Sequence, residues 1–265
     1  MILKSNRVIG FFCFFLMSVA HADYLSWDLI ETKFKEERLN PKIISHVKCF
    51  FEKYEDRQFV KKIPFVVESN DLFNRCESST HVSIGPKRVF AVVDFTIPSN
   101  EKRMILVDRL TGKISLMAVA HGRYLAGMFN HKLSSKKNSV KDATEFSNVI
   151  NSNAPSSGFF IAGTDYIGKF GRSLVLHGLE KGVNDNACER EVVLHKHFLV
   201  SNSKAHILSR GCFMINKDNL DDVINLLKGE ASIDGWPEKG GALIFAYGPR
   251  EAGWGESTCG EGFDY

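Results

Sequence analysis

The sequence lacks a dominant charge: 34 Lys and Arg stand against 31 Asp and Glu, a formal net +3 over 265 residues. Lys4 and Arg7 account for two of those positive charges and have no acid beside them, so the rest of the chain is close to neutral, about +1. A balance of this kind leaves no basic footprint for a polyanion, and nucleic-acid binding is not expected. After the first 20 or so positions, no run reaches the ~20 apolar residues that a membrane-spanning helix needs. Neither Gly-x-Gly-x-x-Gly nor a phosphate loop occurs, and no alternation of strands and helices suggests a doubly wound parallel sheet. Cys-x-x-Cys and His-Glu-x-x-His are absent as well. His195 and His197 with a distant cysteine are the nearest approach to a zinc set and fall short of four ligands at familiar spacing. No metal and no cofactor are expected. Without Gly-x-Ser-x-Gly there is no serine nucleophile elbow. No internal repeat is visible.

What is present begins with the apolar run Val8 to Ala20, basic before it and followed by Ala20-His21-Ala22. That pattern reads as a secretory signal peptide over residues 1–22, with a mature chain starting near Asp23 outside the cytosol. Of six cysteines, Cys13 leaves with the leader, and Cys49, Cys76, Cys188, Cys212 and Cys259 remain. An odd number in an exported chain points to two disulfides and one free thiol. The pairing Cys49–Cys76 with Cys188–Cys259 is expected, as one that leaves Cys212 alone.

Periodicity then divides the chain. Ser26 can cap a helix that carries Trp27, Ile30 and Phe34, and Pro41 suits the first turn of a second helix presenting Ile44, Val47, Phe50 and Phe51. Both read as packing elements. Residues 58–85 read as a loop-rich connection with a short strand at 63–67. From Arg88 the period becomes two: strands are expected over 88–96, on both sides of a turn at Arg109-Leu110-Thr111-Gly112, at "GFFIAGTDY", "RSLVLHGLE" and "REVVLHKHFLV", and around "GALIFAYG". Residues 128–155 read as a surface excursion, with mobility expected there. "NLDDVINLLKG" reads as an amphipathic helix ended by Gly229. The domain reading is a helical and loop-rich extension over 23–87, then a mainly β domain with α additions over 88–265 that ends in an irregular tail.

The chemistry gathers around "SRGCFMI", Ser209 to Ile215. A thiol with an ordinary pKa of ~8.5 is mostly protonated near neutral pH, and an imidazole can take its proton. His177, His195 and His197 are the candidate partners. His195 and His197 fall on one face of an expected strand, with Lys196 on the other. Gly211 permits a tight turn beside the nucleophile and leaves backbone amides for an oxyanion hole.

Five blocks in order carry a resemblance. They are "VVDFTIPSNEKRMILVD"; "VAHG" ending at Gly122; "ATEFSN" with "SSGFFIAGTDYIGKFGRSLVLHGLEKGVNDNA"; "VVLH" ending at His195; and "SRGC" ending at Cys212. The chain resembles the L,D-transpeptidase catalytic-domain (YkuD-like) family from about Val89 to Ile215, and the 17 positions from His195 to Cys212 match its spacing. The resemblance implies a YkuD-like β-sandwich catalytic domain preceded by a small helical segment. It implies a cysteine acyltransferase on peptidoglycan stem peptides, forming 3→3 cross-links, or an L,D-carboxypeptidase that cuts the same bond. A peptidoglycan-binding module with a vestigial site is the non-enzymatic alternative. Cys212 would be the nucleophile, His195 the base, Ser209 an orienter of the imidazole, and Gly211 the shaper of the oxyanion turn. His177, Arg210, Arg190, Tyr166 and His197 would border the substrate, with Asn184 and Asn186 as scaffold. Localisation in the periplasm or cell envelope follows from the same reading. Four positions depart from the family pattern: Lys196-His197 replaces a small pair, Leu208 stands where an arginine is common, and Phe213 stands where proline is common.

Overall fold

In the computed structural model, residues 24–62, 76, 80–85, 87–123, 138–230 and 238–263 are described. The leader, the expected strand at 63–67 and part of the expected mobile excursion lie outside them.

Two helices open the described chain, α1 (Trp27–Glu36) and α2 (Pro41–Tyr54). Each starts where its cap dictates. The Ser26 hydroxyl accepts from the Leu29 amide, and Asn40 accepts from the Lys42 amide with Pro41 in the first turn. Strands follow: β1 (Gln58–Val60), β2 (His81–Ser83), β3 (Val89–Asp94), β4 (Met104–Asp108), β5 (Ile114–Met117), β6 (Gly158–Gly168), β7 (Gly171–Gly178), β8 (Val193–Lys196) and β9 (Phe213–Ile215). Then come α3 (Lys217–Leu227), β10 (Glu238–Lys239), β11 (Leu243–Tyr247) and the short α4 (Pro249–Ala252). The result is mainly β with helical additions.

The principal sheet has eight strands in the order β5-β4-β3-β11-β6-β7-β8-β9, and a small sheet has the order β1-β2-β10. Most neighbours are antiparallel; β11 with β3, β8 with β9 and β10 with β2 are parallel. The β4–β5 hairpin turns at Gly112, whose φ of +69° suits glycine. The chain leaving β5 then reaches the far edge of the same sheet: Ala120 bridges Met214 and Gly122 bridges Ser209. The sheet therefore nearly closes on itself, and the closure falls at the "SRGC" segment.

Alternation along each strand splits the core. Ala91, Val93, Phe160, Leu174, Leu176, Leu194, Phe213 and Ile215 face one side and bury α3 through Leu220, Val223, Ile224 and Leu227. On the other side, α1 and α2 cover Phe90, Val92, Phe159 and Phe245 with Ile30, Phe34, Ile44, Val47, Phe50 and Phe51. The rest of that side, around Ala118, Ala120, Val175, Val193 and Met214, includes the paired Cys76 and Cys188 and holds the free cysteine.

Three expectations are corrected. The disulfides are Cys49–Cys259 and Cys76–Cys188, with Cα atoms 5.4 and 6.0 Å apart. Cys49 sits on α2, whose Phe50 and Tyr54 pack on Phe59, and the C-terminal tail returns to the same helix, so its partner is 210 positions away. The strand at "VVLHKHFLV" ends at Lys196, and a turn follows in which the Val200 amide donates to the His197 carbonyl. His197 therefore does not share a strand face with His195. The late helix starts at Lys217, earlier than its apolar stripe suggests, because Asn216 caps it through the Asp218 amide.

Candidate active site

Cys212 is the free cysteine among the described residues, and it is buried. Parallel pairing of β8 with β9 sets Leu194 against Phe213 and His195 against Met214. Cys212 lies two residues before Met214, so it shares the sheet face of His195. The thiol donates to the Glu191 carbonyl at 3.3 Å. Burial pushes its pKa up, while the Val193 amide and the nearby Arg190 and Lys169 charges pull the other way.

His195 is 2% exposed, and its Nδ1 lies 2.9 Å from the Lys196 carbonyl. A carbonyl can only accept, so Nδ1 carries the proton and Nε2 holds the lone pair. The Phe170 ring, from the tip of the β6–β7 hairpin, stacks on the imidazole with centroids 4.3 Å apart. Burial, with the charges of His197 and Lys169, lowers the His195 pKa to about 4. Thiol and imidazole are each neutral at rest, and no hydrogen bond joins them: the thiol is turned to Glu191 and Nδ1 to Lys196.

The turn before Cys212 is held by Ser209. Its hydroxyl donates to the Cys212 carbonyl at 2.7 Å and accepts from the Gly211 amide at 3.0 Å. Its backbone amide donates to the His121 carbonyl, and its carbonyl accepts from the Arg123 amide. Gly211 adopts φ +117°, and a Cβ there would meet the Ala154 carbonyl at 3.0 Å. Both the dihedral and the close approach require glycine. Because the Gly211 amide is committed to Ser209, an oxyanion hole here would draw on the other amides of the turn.

Arg190 lies directly beneath. Its guanidinium donates to the carbonyls of Ser147 and Ala154 and to the hydroxyls of Ser152 and Ser156, tying the 147–156 loop under Gly211. Burial lowers its pKa to about 10, and a thiolate at Cys212 would work against that shift. It has no carboxylate partner among the described residues. A second buried arginine supports the turn from the other side: Arg103 donates to the Val119 and Ile97 carbonyls and to Nδ1 of His121. His121 Nε2 faces the Ser139 and Asp142 carbonyls, so this ring is neutral too, its pKa lowered to about 4 by burial and by Arg103. The sequence block ending "VAHG" carried no hint of that role.

The other expected residues are dispersed. Tyr166 packs against the apolar cluster that contains Cys212. His177, on β7 opposite Ile161, is buried against Gly163, where a Cβ would meet its Nε2. Arg210 is exposed beside the turn. Asn184 donates to the Ser157 and Phe159 carbonyls and accepts from the Glu180 amide, and Asn186 bonds Asn148; both serve the scaffold. His197 stacks on Phe198 and lines an open cleft of about 400 Å³ with Lys169, Phe170, Gly171, Lys196 and Lys217. Sequence reasoning missed this cleft. Its residues come from a hairpin tip, a strand end and a helix start, and no local pattern links them. Among the described residues, no cluster of three or more His, Cys, Asp or Glu could hold a metal, and no helix is long and apolar enough to cross a membrane.

The L,D-transpeptidase catalytic-domain family matches residues 71–234, more than half of the chain, and the protein belongs to that family. No curated protein matches it. Two solved structures of the helical cell shape determining protein Pgp2 from Campylobacter jejuni are similar in part. One, of a point mutant, has 9% identity and a TM-score of 0.35, covering 77% of this chain and 53% of that one. The other has 11% identity and a TM-score of 0.31, covering 60% and 46%. This chain thus spans about half the length of those structures, and likeness at that level is too distant to inform the site.

Proposed function

We propose that the protein is a cell-envelope cysteine acyltransferase acting on peptidoglycan tetrapeptide stems, with Cys212 as nucleophile and His195 as base. The observation that carries this reading is one unpaired sulfur on the same sheet face as a histidine whose Nδ1 is fixed on a carbonyl. The Cys212 sulfur attacks the carbonyl between the third and fourth stem residues, and its proton passes to Nε2 of His195. The carbon–nitrogen bond breaks, the fourth residue leaves as a free amine carrying that proton, and the stem remains as a thioester. An amine of a second stem then takes the acyl group, or water does. The first gives a cross-link between third residues; the second gives a tripeptide and makes the protein an L,D-carboxypeptidase. Enclosure of the site favours water, since Cys212 is 8% exposed and His195 less.

The exposed Arg210 is suited to a stem carboxylate on the donor side. Arg190, its donors occupied, acts by holding the turn. The helical segment before residue 88 is an extension that covers the far half of the sheet. Two disulfides fit an oxidising, extracytoplasmic compartment. Incubation with purified muropeptides and separation by mass tests the reading. Dimers support transfer and tripeptides support hydrolysis. Neither product would leave only a binding module and overturn it.

A further inference from the structure

Holding the 147–156 loop does not by itself call for a charge. The acceptors that Arg190 serves there, the carbonyls of Ser147 and Ala154 and the hydroxyls of Ser152 and Ser156, are all neutral. Neutral donors of similar shape would satisfy them, whereas a guanidinium taken out of water costs free energy unless an anion faces it. No carboxylate pairs with it among the described residues. The guanidinium nonetheless reaches the nucleophile turn: a Cβ on Gly211 would lie 3.4 Å from Nη2 of Arg190. The next residue is Cys212, whose Sγ lies 3.3 Å from the carbonyl of Glu191, the residue after Arg190. The same segment therefore approaches Cys212 twice, at its sulfur by the main chain and at the residue before it by the guanidinium.

The other charged and titratable groups near the sulfur supply no fixed cation for it. His195 is neutral at rest and shares no hydrogen bond with the thiol. Lys169 stands at the exposed hairpin tip, where water and salt screen it. Glu191 has the wrong sign, and the Tyr166 phenol packs in the same apolar cluster. Arg123 is spent on the Ser209 and Leu208 carbonyls, and Arg210 is exposed. We infer that Arg190 is the counter-charge of the Cys212 thiolate, a cation preset by the 147–156 loop that stabilises the sulfur anion each time it forms. In the proposed reaction, on which the inference rests, that happens twice. The first is when the Cys212 proton passes to Nε2 of His195. The second is when the carbon–sulfur bond of the thioester breaks and its electron pair returns to sulfur. A charge already in place needs no reorganisation at either moment. Arg190 touches no substrate: it acts on the sulfur through space, as a positioning residue.

The test is the pH dependence of Cys212 alkylation by iodoacetamide in the full chain, read by peptide mapping and without substrate. Arg190→Gln keeps donors for the loop and removes the charge. It should move the thiol titration up by about one pH unit or more, a roughly tenfold fall in rate at neutral pH. Arg190→Lys keeps the charge and should hold the titration near that of the wild type. Ser152→Ala combined with Ser156→Ala removes both hydroxyl acceptors and keeps the charge, so the melting temperature should fall while the titration stays. A further arm needs no Arg190 variant to fold. Cys212→Asp puts an anion beside the guanidinium and should unfold at no lower temperature than the neutral Cys212→Asn at pH 7. A titration unmoved in Arg190→Gln, one moved as far in Arg190→Lys or in the serine pair, or a Cys212→Asp clearly less stable than Cys212→Asn would each overturn the inference. Muropeptide turnover is scored separately. A shifted titration with no product from the wild type would sink the proposed reaction and leave the charge assignment standing. Products together with an unmoved titration in Arg190→Gln would sink the assignment alone.

Discussion

One face of the principal sheet contains two regions with the same reactive residue types and different fates. Under α1 and α2, Cys49 is bonded to Cys259, and His46 is buried with Nδ1 on the Thr258 carbonyl at 2.7 Å. At the closing edge, Cys212 is unpaired, and His195 is buried with Nδ1 on the Lys196 carbonyl. Both rings have a lowered pKa, mainly through burial. The surroundings differ. His46 packs among Phe245, Tyr247 and Trp254, and Phe50, Phe159 and Phe245 stack nearby with centroids 4.2 and 4.4 Å apart. The Cys212 region is lined by Ala118, Ala120, Val175 and Val193. Large rings fill one region; small side chains mark the other. The two regions thus differ less in which residues are present than in what packs beside them.

The sharpest way to break the comparison is Cys212→Ala. It should abolish every muropeptide product, while thermal unfolding changes little. An active alanine variant would transfer the chemistry elsewhere. Next in size is Phe159→Ala on the covered half, expected to cost about 3–5 kcal/mol in denaturant unfolding because it leaves a cavity among stacked rings. The alkylation rate of Cys212 in the native state should stay the same. If it does change, the two halves are coupled.

The acid response should come from both buried neutral rings near the site. His195 and His121 have folded pKa values of about 4 against 6.5 when exposed. Between those values the unfolded chain binds more protons, so stability should fall as pH drops from about 6.5 to 4 and level off below. Unfolding midpoints across that range check the sign, and His121→Gln should reduce the slope. The smallest expected stability effect is that of Phe170→Ala, below about 1 kcal/mol for a half-exposed ring. Uncovering the imidazole should nonetheless raise the His195 pKa toward 6.5, which NMR titration of the ring would show. An unmoved titration would mean that other groups bury it.

Local signals were legible where one segment decides the outcome. Ser26, Asn40 and Pro41 marked helix starts, Gly112 marked a hairpin, and period-two runs marked β3 to β7 and β11. The short β9 was not recognised as a strand, because three residues have no period of their own and pair only through β8. The disulfide partners were misjudged for a similar reason: nothing in the sequence around Cys49 reports that the C-terminal tail returns to α2. His197 looked like a second site histidine because alternation was extended past Lys196, where the chain turns.

The sequence by itself determined that five cysteines follow residue 22, that one of them, Cys212, follows a glycine, and that a histidine 17 positions earlier fits the same family pattern. These are matters of residue type, count and order. Only the tertiary structure decided which cysteines pair, that Arg190 serves the turn beneath Gly211 rather than standing free, and that three lysines from separate elements share one concavity. Those outcomes depend on where a nearly closed sheet brings its two edges together, and non-local approach of that kind leaves no periodic trace along the chain.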